Sequence, residues 1–210
     1  MAVPKDTIWA IEPHTSAKHQ ILRKYLDAWL PILGTYNKRI VYVDGFAGPG
    51  RYTGGEPGSP IVALEAALTH QAKLPGEIVF LFIEKSPDRA DHLEREIAKL
   101  PLTSAFKVRV ERGAFADKLG KMLDELDSTS SQIAPTFALI DPFGFSGIPY
   151  ALIQRLLSKN KCEVLITVML DSINRWLEHP ADKLKATSSR RSGPMRPSEL
   201  RKAQATALHS

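Results

Sequence analysis

The eleven residues Ile40–Gly50, with the sequence IVYVDGFAGPG, decide how the rest of this chain is interpreted. Residues 40–43 form an apolar run of β-branched and aromatic side chains, which is typical of a strand covered on both faces of a parallel sheet. Asp44 follows, and then a turn that contains Gly45, Gly48 and Gly50. Because glycine tolerates positive φ and lets a ligand approach the bare main chain, a strand that runs into this turn predicts a nucleotide-binding site.

Two familiar phosphate-binding patterns fit this turn only in part. A P-loop has the form Gly-x-x-x-x-Gly-Lys-Ser/Thr; Gly45 and Gly50 have its spacing, but the next two residues are Arg and Tyr. The dinucleotide fingerprint Gly-x-Gly-x-x-Gly/Ala fits Gly48 and Gly50 but meets Thr53 at its third position. A tight turn between strand and helix that binds no ligand is a further alternative.

A third pattern, Asp-x-Phe-x-Gly-x-Gly, is satisfied by Asp44, Phe46, Gly48 and Gly50. It is similar to the first motif of class I S-adenosylmethionine-dependent methyltransferases, in which the turn contacts the methionine and ribose parts of the cofactor. The resemblance implies that these four residues, together with Gly45, hold S-adenosylmethionine.

Composition limits the class of protein. A chain of 210 residues with 43% hydrophobic content can bury one core and is most simply one domain. The single cysteine, Cys162, excludes a disulfide framework and a cysteine-built metal site, so we predict no metal centre and a reducing, cytoplasmic setting. The sequence contains neither an apolar run of membrane-spanning length nor an N-terminal signal core, and no membrane partner is predicted.

The positive charge lies mostly at the C-terminus. The segment from Lys183 to Ser210 carries +6 against +5 for the whole chain, which leaves −1 for the rest. A nucleic-acid partner is therefore not favoured by the charge of the body, and any polyanion affinity is expected from the tail. Residues 181–210 also lack apolar periodicity, and we predict a disordered tail after a domain spanning residues 1–180.

Apolar patterns and capping signals predict the remaining elements. Thr15 and Pro31 are interpreted as the start and stop signals of an N-terminal helix, and Ser59 and Ser86 as helix caps. The predicted helices cover residues 15–30, 61–71, 87–100, a segment through Leu119 and Leu126, and 149–157; the strands cover 40–43, 77–83, 106–111, 136–140 and 163–170.

Five strands separated by helices predict an α/β fold. We expect a Rossmann-like, three-layer αβα sandwich with a mainly parallel sheet in the order 3-2-1-4-5. Ligands of such sheets bind beyond the carboxyl ends of the strands, where the winding reverses. Asp44 and Asp141 should then face one pocket, with Glu84 on its other side, where an acid can accept both ribose hydroxyls.

Ala114 stands after the third strand, where many adenosyl-binding sites have an Asp. The alternative is that these acids only end strands or form turns.

Beyond single motifs, the chain resembles the three-Cys-motif partner protein family, TcmP. The resemblance covers residues from about 8 to 180. It rests on residues 14–19 with Ile21 and Leu22, on residues 43–52 and 58–60, on residues 141–144 and 147–149, and on residues 171–175.

Membership of that family implies a methyltransferase-like Rossmann fold in a prokaryote or phage, encoded beside a protein with a three-cysteine, radical-enzyme-like motif. It implies no established reaction. The further candidate site residues rest on the same resemblance: His14, Lys18, Arg51, Tyr52, Ser59, Asp171, Asn174 and Arg175.

Three functions remain open at this point. In the first, methyl transfer from S-adenosylmethionine, the segment Asp141-Pro142-Phe143 resembles the Asp-Pro-Pro-aromatic motif of amino-methyltransferases. Asp141 then orients the target amine, and Phe143 or Phe145 packs on the acceptor, which in DNA would be a flipped base. The second is a non-catalytic partner or scaffold of the three-cysteine protein. The third is an NAD-dependent oxidoreductase.

The end of the chain departs from the family, whose members look longer. A basic tail stands where further helix and closing strands are expected, which looks like a truncation that removes the last strands. The fifth strand would then be an uncovered apolar edge, and we predict self-association through it.

Overall fold

The computed structural model describes residues 6–72, 74, 76–129, 133–142 and 148–167. The predictions about Phe143, Phe145, Asp171, Asn174, Arg175 and the tail from residue 181 lie outside these residues. The described elements are α1 (Pro13–Tyr36), β1 (Arg39–Asp44), α2 (Ser59–Leu68), β2 (Glu77–Glu84), α3 (Pro87–Ile97), β3 (Phe106–Arg112), α4 (Phe115–Ser128), β4 (Thr136–Ile140), α5 (Tyr150–Leu157) and β5 (Cys162–Ile166).

The five described strands form one parallel sheet in the order β3-β2-β1-β4-β5, as predicted. β1 lies in the centre, where Val41 is opposite Val79 of β2 and Thr136 of β4. The winding reverses at this strand, because the chain continues outward through β2 and β3 and then returns to β4 on the other side. The fold is therefore α/β and Rossmann-like.

Successive side chains of the strands contribute alternately to two hydrophobic cores, one on each face of the sheet. Ile40 and Tyr42 of β1 belong to a cluster with residues of α1, α2 and α3, whereas Val43 packs with residues of α4 and α5. Successive strand residues point to opposite faces, so the helices form one layer on each side of the sheet. Because both faces of β1 are covered, its sequence is an almost continuous apolar run rather than an alternation of apolar and polar residues.

The first helix is longer than predicted at both ends. It begins at Pro13, where the proline fits the first turn, and the backbone N–H of Thr15 donates to the Glu12 carbonyl (2.9 Å). Pro31 lies inside the helix and does not end it. Proline removes the N–H that would bond the Asp27 carbonyl, and His70 Nε2 lies 2.8 Å from that carbonyl and replaces the lost donor.

Other element boundaries also differ from the predicted ones. Ser59 does not cap α2; it is the first helical residue, and Gly58 holds the cap position. Ser86 is the cap residue of α3, but its side chain makes no capping hydrogen bond. The helices α2 and α3 end three residues earlier than predicted, and β5 ends at Ile166, while residues 168–170 lie outside the described part.

No helix in the described ranges has the length and apolar content needed to cross a bilayer.

Candidate functional site

Three carboxylates lie at the carboxyl ends of adjacent strands: Asp44 on β1, Glu84 on β2 and Asp141 directly after β4. Asp44 is completely buried and Glu84 is nearly so. Both Asp141 and Glu84 act electrostatically to raise the pKa of Asp44. The three groups therefore form one acidic cluster at the point where the winding of the sheet reverses.

Burial raises the pKa of Asp44 from 3.8 to about 7, against the opposing effects of the Ser59 hydroxyl and the Phe46 N–H. The Phe46 N–H donates to Oδ1 at 3.1 Å. Oδ2 is buried and has no partner of hydrogen-bonding geometry among the described residues, although Ser59 lies near the carboxyl group. Oδ2 of Asp44 is thus a buried polar atom whose hydrogen-bonding capacity is unused among the described residues.

Glu84 supports the glycine turn. Its Oε2 accepts from the Gly48 N–H and its Oε1 from the Ser86 N–H, both at 2.8 Å. Each oxygen of an ionised carboxylate can accept about two hydrogen bonds. Glu84 can therefore hold the turn and still accept hydrogen bonds from a ligand.

The three glycines of the turn do not all face open space. A Cβ on Gly45 would come within 2.6 Å of the Phe115 ring, and a Cβ on Gly50 within 2.8 Å of Leu93. A Cβ on Gly48, which has φ +66°, would meet only Trp9, at 4.0 Å. Gly45 and Gly50 therefore make room for neighbouring side chains, and of the three only Gly48 retains free space on its Cβ side. The expectation that all three present bare main chain to a ligand stays a prediction, because these contacts concern only the Cβ side of each glycine.

The start of α1 reaches the end of β4. Lys18 Nζ donates to Oδ2 of Asp141, and the Thr167 hydroxyl donates to Oδ1, so both oxygens of Asp141 bond to the protein. Each partner of the Lys18–Asp141 ion pair is about a quarter exposed. Lys18, predicted to help close a ligand site, is thus placed at the acidic cluster, and Pro142 beside it is buried. His14 is half-exposed, and its Nε2 lies 3.2 Å from Oε2 of Glu12.

His19 is a member of the site that the sequence reasoning did not select. Burial, followed by the charge of Lys18, lowers the pKa of His19 to about 4, while Asp141 opposes this shift. Its ring centroid is 5.9 Å from that of Tyr52. The motif at residues 14–19 contains His19, but its role depends on contacts with the loop after the glycine turn.

Tyr52 and Arg51 differ in what they contact. Burial raises the pKa of Tyr52 above its ordinary value, and the nearby charges of Asp141 and Asp44 add to the effect. Tyr52 therefore borders the acidic cluster. Arg51 instead pairs with Glu65 (3.1 Å) and Glu96 (3.3 Å), so its guanidinium braces the loop.

The glycine turn does not lead directly into a helix. Residues 51–58 separate Gly50 from α2, and this loop closes on itself where the Gly58 N–H donates to the Gly50 carbonyl at 2.7 Å. P-loops and dinucleotide fingerprints place the helix N-terminus directly after their glycines. The start of α2 returns to the site through Ser59, which lies near Asp44.

The position after Gly113, beyond the end of β3, holds Ala114 and carries no acid. Ala114 caps α4 without a side-chain hydrogen bond, and the preceding Gly113 N–H donates to the Glu84 carbonyl at 2.9 Å. The hydrogen bond that an Asp could make at this position is not available from an alanine methyl group.

No protein-family model matches this chain, and a search of curated proteins finds no significant match.

Proposed function

We propose that the carboxyl ends of β1, β2 and β4 bind S-adenosylmethionine, and that this chain is a methyltransferase-like protein of the three-Cys-motif partner kind. The observation that carries the proposal is the cluster of Asp44, Glu84 and Asp141 where the winding of the sheet reverses. Ligands of parallel α/β sheets bind at this place.

Two features of the cluster fit this cofactor. Oδ2 of Asp44 is a buried oxygen with no hydrogen bond among the described residues, and Gly48 leaves space on its Cβ side. The remaining acceptor positions of Glu84 suit the two ribose hydroxyls. When bound, the cofactor would supply an electrophilic methyl group on a positively charged sulfonium, and neighbouring carboxylates stabilise positive charge.

Asp141 is proposed to act on the acceptor. Its carboxylate already accepts a hydrogen bond from the amine of Lys18, so this position suits an amine donor. An acceptor amine would compete with Lys18 for Oδ2, and Pro142 and Phe143 would complete the acceptor side. The acceptor itself is left open, as either a nucleic acid or a substrate carried by the three-cysteine partner protein.

The test is calorimetric titration with S-adenosylmethionine and with its demethylated product. We expect wild-type binding, and we expect Glu84→Gln to weaken it by about tenfold or more because a hydrogen bond to a charged acceptor is lost. Glu77→Gln is the matched control, since Glu77 lies on the same strand at its opposite end, paired with Arg39, and should leave the affinity unchanged.

Asp141→Ala is the second arm of the titration. It should keep the affinity within about threefold, because we place Asp141 at the acceptor rather than at the cofactor. A loss as large as that of Glu84→Gln would remove Asp141 from the acceptor role. Absence of heat with both ligands, in protein whose circular dichroism shows it to be folded, would overturn the methyltransferase-like proposal.

A second candidate function is a non-catalytic partner that keeps the fold but transfers no methyl group. Two observations favour it: both oxygens of Asp141 are already engaged by Lys18 and Thr167, and Ala114 offers no acid to an adenine amine. A folded protein that binds neither ligand would support this function. Heat with NAD in the same experiment would instead favour the oxidoreductase alternative.

A further inference from the structure

A cleft of about 820 Å³ lies at the amino ends of β1, β2, β4 and β5, at the edge of the sheet opposite to the acidic cluster. We call it the basic cleft, and its charged lining consists of Lys38, Arg39, Lys159, Lys161 and Glu77. The part of the chain before Lys183 has a net charge of −1, so this concentration of cations is local. The volume is that of a site for a small organic ligand.

Three of the four cations have charge available for a ligand, because only Lys159 is neutralised outside the lining, by Asp127. Arg39 Nε lies 2.5 Å from Glu77, but the arginine side chain is 61% exposed and has further N–H donors. Lys38 is exposed and forms no ion pair with a described residue.

The ammonium group of Lys161 reaches across the basic cleft toward Lys38. Lys161 is exposed, and its Nζ lies 3.3 Å from a neutral acceptor, Oδ1 of Asn37, the residue before Lys38. The charge of Lys161 is therefore not cancelled by this contact. It adds to the charge of Lys38 and Arg39 on the same side of the cleft.

The backbone holds both lysines in place. The Glu77 N–H donates to the Lys38 carbonyl at 2.9 Å, and the Thr136 N–H donates to the Lys161 carbonyl at 3.0 Å. Gly76 packs so closely on this wall that a Cβ would lie 3.1 Å from the Lys38 carbonyl oxygen. A wall whose backbone is already ordered loses less conformational entropy when a ligand binds.

Lys161 has a backbone conformation that lysine rarely adopts. Its φ is +60°, and it is the only non-glycine residue with positive φ in the described part of the chain. Glycine or asparagine adopts this conformation at a lower energetic cost. Backbone outliers are concentrated at functional sites, so the conformation supports a role for this side chain independently of its charge.

The remaining wall of the basic cleft is apolar. It is formed by Ile133, Ala134 and Pro135, the segment that leads into β4. Ile133 and Ala134 are half-buried, so part of their surface is accessible. An inorganic anion would contact the cations and leave this wall in water. A ligand with an apolar body beside its anionic group would use both walls.

We infer that the basic cleft binds a small organic phosphate, whose phosphate group is held by Lys161 and the Lys38-Arg39 pair and whose organic part lies against residues 133–135. The exposed groups on the charged wall are N–H donors with positive charge, and phosphate is a strong acceptor for such donors. The arginine fork matches phosphate geometry, and lysine binds phosphate as a point charge. The carboxylates of the proposed cofactor site lie at the other edge of the sheet, so the two sites are separate.

The test is a titration of the full ¹⁵N-labelled chain with phenyl phosphate, followed by the backbone amide signals of Lys38 and Lys161. We expect saturable shifts of both signals, with a dissociation constant on the order of 1 mM for a probe of this size. Phenol, which has the ring but no charge, should bind at least about tenfold more weakly. Inorganic phosphate, which has the charge but no ring, should bind at least about threefold more weakly.

Three variants separate the basic cleft from the general charge of the surface. Lys161→Asn removes a cation but keeps a residue that tolerates positive φ, and it should weaken phenyl phosphate binding by about fivefold or more. Lys107→Asn is the matched control, since Lys107 is also exposed but lies on β3, and it should change the affinity less than about twofold. Glu77→Gln frees the Arg39 guanidinium from its carboxylate and should strengthen binding.

The proposal is overturned if neither amide signal moves, or if phenol or inorganic phosphate binds as tightly as phenyl phosphate. Equal losses in Lys161→Asn and Lys107→Asn would reduce the effect to general electrostatics and would also overturn it. If a single-stranded oligonucleotide shifts the same signals at far lower concentration, the cleft is a nucleic-acid surface and the small-ligand proposal is wrong.

Lys38→Ala replaces Lys161→Asn if the latter does not fold, with the same expected loss. None of these outcomes depends on S-adenosylmethionine binding, so this proposal and the proposed function can fail separately.

Discussion

Asp44 is a carboxyl group whose charge state depends on the fold. Burial raises its pKa from 3.8 to about 7, so between these two pH values the folded chain keeps a proton that the unfolded chain releases. Stability falls with rising pH wherever the folded state binds more protons. The contribution of Asp44 therefore becomes increasingly unfavourable from about pH 4 upward and reaches its full cost above about pH 7.

Asp44→Asn should remove this cost. We expect the advantage of the variant over the wild type in unfolding free energy to grow by roughly 1–3 kcal/mol from pH 5 to pH 8. The reason is that the neutral amide is not penalised by burial as a charge is. Urea unfolding of both proteins at the two pH values measures this gain. A stability difference that is the same at pH 5 and pH 8 would contradict the raised pKa.

At the scale of elements, the loop that joins β1 to α2 contains two glycines with the same positive φ. Gly50 and Gly55 both have φ +87°. A Cβ on Gly50 would lie 2.8 Å from Leu93 of α3, whereas nothing lies within 4 Å of a Cβ on Gly55. Position 50 therefore favours glycine for both its positive φ and its close packing against Leu93, whereas position 55 favours glycine for its positive φ alone.

Alanine substitution at these two positions separates the two effects. We expect Gly55→Ala to cost about 1 kcal/mol of unfolding free energy, from the left-handed conformation. Gly50→Ala should cost about 1–3 kcal/mol more, because the added methyl group overlaps Leu93 in the core. Denaturant unfolding measures both values. Equal costs would show that Leu93 moves aside without loss.

Helix α1 shows how one element depends on another. Pro31 is a stop signal in the sequence, yet the helix continues to Tyr36 because His70, in the segment after α2, lies 2.8 Å from the carbonyl that proline leaves unpaired. The buried residues Trp29 and Leu30 before the proline and Gly34 after it hold both halves of the helix against the rest of the fold. Tertiary packing therefore outweighs a local signal at this position.

At the scale of the whole molecule, β5 is the outermost described strand next to β4. Its hydrogen bonds among the described strands go to β4 alone, and Ile166 is 40% exposed. An apolar strand edge of this kind can pair with another chain. Self-association through this edge stays a prediction.

Light scattering coupled to size-exclusion chromatography can test it. We expect the average mass to rise with protein concentration, and Ile166→Lys to suppress the rise because a charge on an edge strand opposes pairing. Ile32→Lys is the control, since Ile32 is also exposed but lies on α1. A monomer at all concentrations would contradict the prediction, and equal suppression by both variants would show that the contact is not specific to β5.

The sequence by itself determined the existence of the five strands and the parallel fold class. β4 spans the predicted residues 136–140, and the parallel direction of the strands follows from crossovers long enough to return the chain in the same direction. Asp44, Glu84 and Asp141 could be predicted to meet because each ends or directly follows a strand. These features are encoded locally, in apolar runs and in the residues that interrupt them.

Only the tertiary structure decided which groups complete the site. Phe115 and Leu93 occupy the space beside Gly45 and Gly50, and Lys18 reaches Asp141 across 123 positions of the chain. His19 and Glu56 line one groove for the same reason. No local pattern specifies such contacts, because they depend on how helices far apart in sequence pack on the sheet.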